Sequence, residues 1–160
     1  MVLICYDGSA DAQAAIDRAG ELMPGQTATV LTIWEPFVDV VAHTGIGMDT
    51  WPDGIDPQRM DELAERAARD RAEQGVERAR DAGLNPQPRT RARGATTAET
   101  ILSEADDVGA EAIVLGTRGL TGLKSLLLGS VSHAVLQHAD RPVMVVPSAE
   151  VAAKRAGHRP

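Results

Sequence analysis

Four short, mainly apolar runs limit the folds open to this chain. They lie at Val2–Tyr6, Thr27–Ile33, Glu111–Leu115 and Pro142–Val146. A strand with one solvent-exposed face alternates apolar and polar residues, whereas a continuous apolar run indicates a strand that is covered on both faces. Stretches with helical spacing separate these runs. The pattern therefore predicts an α/β fold, a parallel sheet with helices on both faces.

A fifth strand is predicted at Pro86–Arg93, where Arg89, Arg91 and Arg93 share one face. These arginines have two interpretations, an RNA-binding patch or an edge strand protected by charge, and the second is favoured. Helices are predicted after residue 9, from Pro57 to Gly83, from about Thr97 to Val108 and from Ser130 to His138.

The length of 160 residues fits one domain. We expect this domain, a three-layer sandwich, to occupy residues 1–147, and residues 148–160 to form a flexible tail. Residues 35–56 are rich in glycine, proline and aspartate and are expected to form a long irregular loop. Trp34 and Trp51 flank this loop, which could close over a ligand or simply pack down.

Charge and hydropathy exclude several classes of partner. The formal net charge of -7 disfavours general binding to nucleic acid or to anionic membranes. No apolar run approaches the roughly 20 residues that cross a bilayer, and the first residues lack the basic region of a signal peptide. Cys5 is the only cysteine, so no intramolecular disulfide forms. We expect a soluble cytoplasmic protein.

The stretch GTRGLTGLKSLLLGSVS, residues 116–132, has the composition of a phosphate-binding loop. It follows the fourth strand of the chain, and open α/β sheets bind ligands beyond the carboxyl ends of their strands. It is not a Walker A loop, because Leu123 separates Gly122 from Lys124. It is not a dinucleotide fingerprint, because two residues separate Gly116 from Gly119 and the stretch does not follow the first strand.

The remaining pattern is Gly116, two residues, Gly119, nine residues, then Gly129-Ser130. The first two glycines allow close approach of a ligand to the backbone. Gly129-Ser130 opens a helix whose free N–H groups and dipole favour an anion, and Arg118 and Lys124 could supply local positive charge. A structural interpretation is also open, in which the glycines turn the chain and Ser130 is an ordinary N-cap. The combination favours phosphate binding.

This pattern resembles the ATP-binding motif of the universal stress protein family, Gly-x2-Gly-x9-Gly-Ser/Thr. The resemblance covers residues 1–147, since VLICYDGSADAQAAIDRA is similar to the first strand and helix of the family, and AEAIVLGTRGLTGLKSLLLGSVSHAVLQHADRPVMVVP is similar to its C-terminal half. It implies a five-stranded parallel sheet in the order 3-2-1-4-5 and a homodimer, often formed through the last strand. It also implies binding of ATP with Mg²⁺ or Mn²⁺ and a role in stress response.

The resemblance assigns roles to nine residues. The acid after the first strand would lie near ribose or near a metal-linked phosphate, and one backbone at the end of the second strand would meet adenine. The loop after the fourth strand would flank ribose and phosphates, and the start of the following helix would hold the phosphates. In that order the residues are Asp7 (also the metal ligand); Ile33; Gly116, Arg118 and Gly119; Gly129, Ser130, Val131 and Ser132.

Catalytic residues are not evident. No second acid and no general base stand at motif positions; His133 and His43 are weak candidates, and Cys5 is expected to be an inert core thiol. A nucleotide-dependent signalling module with an unknown protein partner is therefore the leading interpretation. The alternatives are a slow ATPase or nucleotide-dependent transferase, and a nucleotide-free dimerisation adaptor. The choice among ATP, AMP and cyclic AMP stays open.

Overall fold

The computed structural model describes residues 1–44, 55–120 and 128–157. Five parallel strands form one sheet in the order β3-β2-β1-β4-β5, which confirms both the predicted class and the predicted order. The third strand lies at an edge of the sheet, as expected. The strands are β1 Val2–Cys5, β2 Thr27–Trp34, β3 Asn85–Ala92, β4 Ala112–Gly116 and β5 Val143–Val146.

Helices cover both faces of the sheet. Side chains of β1 show why its sequence is apolar throughout, since Val2 and Ile4 pack on the face that α1 and α3 cover and Leu3 packs on the face of α4 and α5. None of the helices in the described ranges combines the length and hydropathy of a membrane-spanning segment. The helices of the described residues are α1 Ala10–Leu22, α2 Phe37–Thr44, α3 Pro57–Asp81, α4 Thr97–Asp107, α5 Ser130–His138 and α6 Ala149–Ala156.

Two short helices replace segments that we expected to be irregular. Helix α2 lies inside the predicted 35–56 loop, and its first N–H, that of Phe37, donates to Asp61 Oδ1 of α3 at 2.7 Å. Helix α6 lies in the predicted tail, where Ser148 caps the N–H of Val151 and the Val151 side chain is buried. Both helices begin at a hydrogen bond to a distant element, since the N–H of Ser148 also donates to Asp11, and local composition does not reveal such contacts. Residues 45–54 of the predicted loop, with Trp51, lie outside the described residues.

Three arginines, two on β3 and one directly after it, are paired with acids. Arg89 and Arg91 both donate through Nε to the carboxylate of Glu104 on α4, and Arg93 lies 2.8 Å from Glu35. Glu104 is buried and accepts from two guanidinium groups, so this face carries a network of ion pairs around one buried carboxylate. The pairing supports the charged edge strand and leaves little positive charge for RNA.

Glu104→Gln is expected to lower the free energy of unfolding by about 2 kcal/mol at pH 7, because two charge-assisted hydrogen bonds are weakened. Burial alone would raise the pKa of Glu104, but the hydrogen bonds from Arg89 and Arg91 hold it below its ordinary value. A lowered folded pKa means that this stabilisation is present above the unfolded pKa of about 4.3 and is lost as the pH falls through the folded value.

Urea unfolding at pH 7, 5 and 3 measures this effect. The difference between the wild type and Glu104→Gln is expected to persist at pH 5 and to shrink at pH 3. Glu99→Gln, which changes an exposed acid on the same helix, is the control and is expected to change stability by less than about 0.5 kcal/mol. Equal unfolding midpoints for wild type and Glu104→Gln at pH 7 would contradict the expectation.

Candidate functional site

A cleft of about 150 Å³ lies at the carboxyl ends of β1, β2 and β4. The strand order reverses between β1 and β4, and such a switch point is where open α/β sheets bind ligands. Most of the predicted binding residues meet there, although they are far apart in the sequence. Those that line the cleft are Asp7, Ile33, Gly116, Arg118, Gly119, Val131 and Ser132. Gly129 and Ser130 begin the adjoining helix α5.

Asp7 joins the two loops that border the cleft. Its Oδ1 accepts the N–H of Ser9 at 2.9 Å, and its Oδ2 accepts the N–H of Leu120 at 3.1 Å. Gly119 packs against the same carboxylate, and a Cβ at this position would lie 2.6 Å from Asp7 Oδ2. The absence of a side chain at Gly119 therefore lets the loop after β4 close onto Asp7.

Asp7 fits a metal ion only as a single ligand. Within the part of the chain that the structure describes, no three His, Cys, Asp or Glu side chains are grouped so as to hold a metal. Both Asp7 oxygens already accept an N–H, although each carboxylate oxygen retains a second lone pair. A magnesium ion at this position would take its other ligands from phosphate and water, which is the usual coordination of Mg²⁺ in nucleotide sites.

The backbone of Ile33 faces the cleft. In a parallel strand the N–H and C=O of successive residues point alternately to the two neighbouring strands. On β2 the carbonyl of Leu31 accepts the N–H of Tyr6, on the β1 side, and the carbonyl of Trp34 accepts the N–H of Arg93, on the β3 side. The groups of Ile33 therefore point to the β1 side, beyond Cys5, where β1 has ended.

The amino terminus of α5 has no side-chain cap. Its N-cap is Gly129, whereas Ser9 caps α1 and Thr96 caps α4. The first N–H groups of a helix lack intrahelical partners, and together with the helix dipole they favour an anion. Ser130 follows at an exposed position and adds a hydroxyl.

Ser132 has a structural contact that the sequence did not reveal. Its hydroxyl donates to the carbonyl of Gly116 at 2.7 Å, which fastens the first turn of α5 to the end of β4. A hydroxyl has one proton to donate, so in this arrangement an anion would meet the backbone N–H of Ser132. Gly116 itself lines the cleft and also packs against α1, where a Cβ would lie 2.7 Å from the carbonyl carbon of Asp11.

Asp11 is the residue of this region that the sequence analysis missed. It is buried, its carboxylate accepts the Thr117 hydroxyl and the N–H of Ser148, and it lies 3.7 Å from Nε of Arg118. Burial alone would raise the pKa of Asp11, but these hydrogen bonds and the charge of Arg118 hold it below its ordinary value. One signal was available: helical spacing places Asp11 on the buried stripe of Ala15.

The weaker sequence candidates differ in their relation to the cleft. Cys5 packs against the core cluster on the α4 and α5 face and also lines the cleft. Burial, assisted by the charge of Asp7, raises the pKa of its thiol to about 12. This thiol is therefore protonated at neutral pH and is a poor nucleophile. His133 is exposed and does not line the cleft, and His43 lies 3.4 Å from Glu35. Lys124 lies outside the described residues.

Known proteins match this chain along nearly its whole length. The sequence model of the universal stress protein family matches residues 1–147. Universal stress protein YxiE of Bacillus subtilis is 33% identical over 153 residues, which are 91% of this chain and 97% of that protein. The solved structure of MJ0577 from Methanocaldococcus jannaschii has a TM-score of 0.71 at 21% identity and covers 91% of this chain and 94% of its own.

Two further solved structures with this fold contain nucleotides. A universal stress protein in complex with cAMP has a TM-score of 0.60 at 23% identity, with 92% of this chain and 96% of that chain covered. A family protein of Arabidopsis thaliana with AMP bound has a TM-score of 0.60 at 17% identity, with 91% and 90% covered. Adenine nucleotides are thus ligands of proteins that share this fold.

Proposed function

The chain belongs to the universal stress protein family, and on that premise we propose that it binds an adenine nucleotide, ATP first, as a nucleotide-dependent regulatory module of stress response. One observation carries the proposal. One cleft is lined both by the end of β2, where the backbone groups of Ile33 point to the β1 side, and by the first turn of α5, a helix whose N-terminus has no side-chain cap. Residues 1–147 are then the nucleotide-binding domain.

The base end of the proposed site is apolar. Leu31, Ile33, Ile101 and Leu115 line the cleft and offer a surface on which a planar purine can pack. The backbone N–H and C=O of Ile33 add one donor and one acceptor at the rim. An adenine presents a complementary acceptor and donor on its edge, so this arrangement supports selection of adenine over guanine.

The phosphate end combines backbone and charge. The first turn of α5 offers the N–H groups of Ser130, Val131 and Ser132, and Arg118, which lines the same cleft, offers its guanidinium. Each charge-assisted hydrogen bond contributes about 1.5–3 kcal/mol. Three or four of them supply the roughly 8 kcal/mol of micromolar affinity. A Mg²⁺ ion, in this proposal, arrives with the phosphates and has Asp7 as its protein ligand.

Binding is favoured over chemistry in this proposal. Hydrolysis of ATP needs a group that orients water and another that stabilises charge on the γ-phosphoryl group. Asp7 already accepts two N–H groups, and Cys5 is protonated at neutral pH. We further propose a cytoplasmic homodimer formed through β5, an edge strand whose Val143 and Val145 are only half-buried, with a further protein partner that reads the nucleotide state.

Thermal unfolding tests the proposal on protein from which any co-purified nucleotide has been stripped. Ligand at 100 times its Kd stabilises the native state by about 2.7 kcal/mol. At about 2–4 °C per kcal/mol, Mg-ATP is expected to raise Tm by roughly 5–11 °C. AMP and cAMP are expected to raise it as well, and GTP to raise it little. No shift with any of these nucleotides in a folded sample would contradict the proposal and favour the nucleotide-free adaptor.

Chromatography of the bound nucleotide separates binding from turnover. ATP that stays intact for hours with the protein is the expected result. Steady release of ADP that disappears in Asp7→Ala would replace the regulatory module by a slow ATPase. The two outcomes are distinguishable because chromatography separates intact ATP from ADP in samples that begin as the same ATP complex.

A further inference from the structure

A buried carboxylate connects the two sides of the cleft without lining it. Asp11, in the first turn of α1, is only 5% exposed. Its Oδ2 accepts the hydroxyl of Thr117 and lies 3.7 Å from Nε of Arg118, and its Oδ1 accepts the N–H of Ser148 at 3.2 Å. A buried polar group with several partners is held in one geometry. Two segments of the chain, at Thr117-Arg118 and at Ser148, are therefore fixed relative to α1 by one side chain.

Thr117 carries this connection to α5. It is buried, and its N–H donates to the carbonyl of Val146 at 3.0 Å. Its carbonyl accepts the N–H of Gly129 at 2.7 Å and, more weakly, the hydroxyl of Ser132 at 3.4 Å. The position of Thr117 therefore decides where the first turn of α5 lies relative to the cleft.

Arg118 is the second group that Asp11 holds. Its side chain is 18% exposed and lines the cleft, and its carbonyl accepts the hydroxyl of Ser9 at 3.4 Å. A guanidinium that is largely removed from water requires a counter-charge or hydrogen bonds. Asp11 is the carboxylate that lies within 4 Å of it in the described residues.

We propose that Asp11 is a positioning residue for the phosphate side of the cleft, which it sets by holding Thr117 and Arg118. Neither Asp11 nor Thr117 lines the cleft, so both act through other groups. The inference rests on the proposed nucleotide function and adds a residue to that site. Partners one step removed from a ligand fix the groups that touch it, and their loss loosens the site.

The positioning role and simple electrostatics predict opposite effects of Asp11→Asn on the affinity for ATP. Removal of a negative charge beside the cleft would, by electrostatics alone, strengthen the binding of an anion. The positioning role requires the reverse, because the amide offers one acceptor oxygen where the carboxylate offers two, and Arg118 loses its counter-charge. Adenosine has no phosphate, so its affinity is expected to stay unchanged.

Calorimetric titration of stripped protein with Mg-ATP and, separately, with adenosine tests the inference. In Asp11→Asn and in Thr117→Val the affinity for ATP is expected to fall about tenfold, the lower end of the range for partners behind a ligand-binding group. The affinity for adenosine is expected to stay at the wild-type value. Thr117→Ser keeps the hydroxyl and is expected to restore ATP binding. Circular dichroism verifies that each variant is folded.

Three outcomes would overturn the inference. The first is unchanged or tighter ATP binding by Asp11→Asn; if that variant does not fold, unchanged binding by Thr117→Val has the same meaning. The second is an equal loss of ATP and adenosine affinity, which indicates general damage to the fold. The third is wild-type protein that binds neither ligand, because the proposed function then fails and the positioning role fails with it.

Discussion

Gly116→Ala is expected to lower the free energy of unfolding by about 3 kcal/mol, the upper end for overpacking of a tight interior. A Cβ at this position would lie 2.7 Å from the carbonyl carbon of Asp11 and 2.9 Å from the nitrogen of Ala12. Both are backbone atoms of α1, so no side chain can rotate away and the helix itself must move. At about 2–4 °C per kcal/mol the melting temperature falls by roughly 6–12 °C.

Gly157→Ala is the matched control. Gly157 ends α6 with φ -73, and the nearest atoms to its Cβ position lie 3.8 Å away. This substitution is expected to change stability by less than about 0.5 kcal/mol. Thermal and urea unfolding measure both variants. If Gly116→Ala has the same melting temperature as Gly157→Ala, then α1 does not require a glycine at the end of β4.

Gly129→Asp is expected to reduce the affinity for ATP by about a hundredfold, because loss of one or two charge-assisted hydrogen bonds removes about 3 kcal/mol. The carboxylate would occupy the anion position at the start of α5 and repel phosphate. Gly129 has φ -70 and ψ 157, an extended conformation that aspartate also adopts. Aspartate is in addition a preferred N-cap, so the unliganded protein is expected to remain folded.

The control for added charge is Gln137→Glu, near the other end of α5 at an exposed position. It makes the same change in net charge and is expected to leave ATP affinity unchanged. Titration calorimetry of both variants provides the comparison. Full ATP binding by Gly129→Asp would exclude the first turn of α5 as the phosphate site. A loss of ATP binding by both variants would instead indicate a long-range effect of net charge.

The α/β architecture could be predicted because strands that are buried on both faces have apolar residues at successive positions. Val2–Cys5 is apolar at every position, since side chains on both faces of β1 are packed. The edge position of β3 followed from its charge. Helices α2 and α6 could not be predicted in the same way, because each begins at a hydrogen bond to a distant element, from Phe37 to Asp61 and from Ser148 to Asp11.

The sequence predicted which residues form the site better than it predicted the contacts that these residues make. The resemblance to the family assigned Asp7, Ile33 and Gly119 to one ligand site, and all three line the same cleft. The buried role of Asp11 depends on residues 106 and 137 positions away, Thr117 and Ser148, and no local pattern indicates such pairings. The glycine at 116 was interpreted as room for a ligand, whereas the structure shows that α1 also needs this room.

The location of the nucleotide is the central claim, and a titration of the backbone amide spectrum with Mg-ATP tests it most directly. The largest chemical-shift changes are expected at Ile33, Gly119 and Ser130–Ser132. The amide shifts of residues at the amino ends of the strands, such as Thr27 and Asn85, are expected to stay unchanged. Shift changes that cluster at the amino ends of the strands, or binding that leaves the amides of Ser130–Ser132 unchanged, would contradict the account.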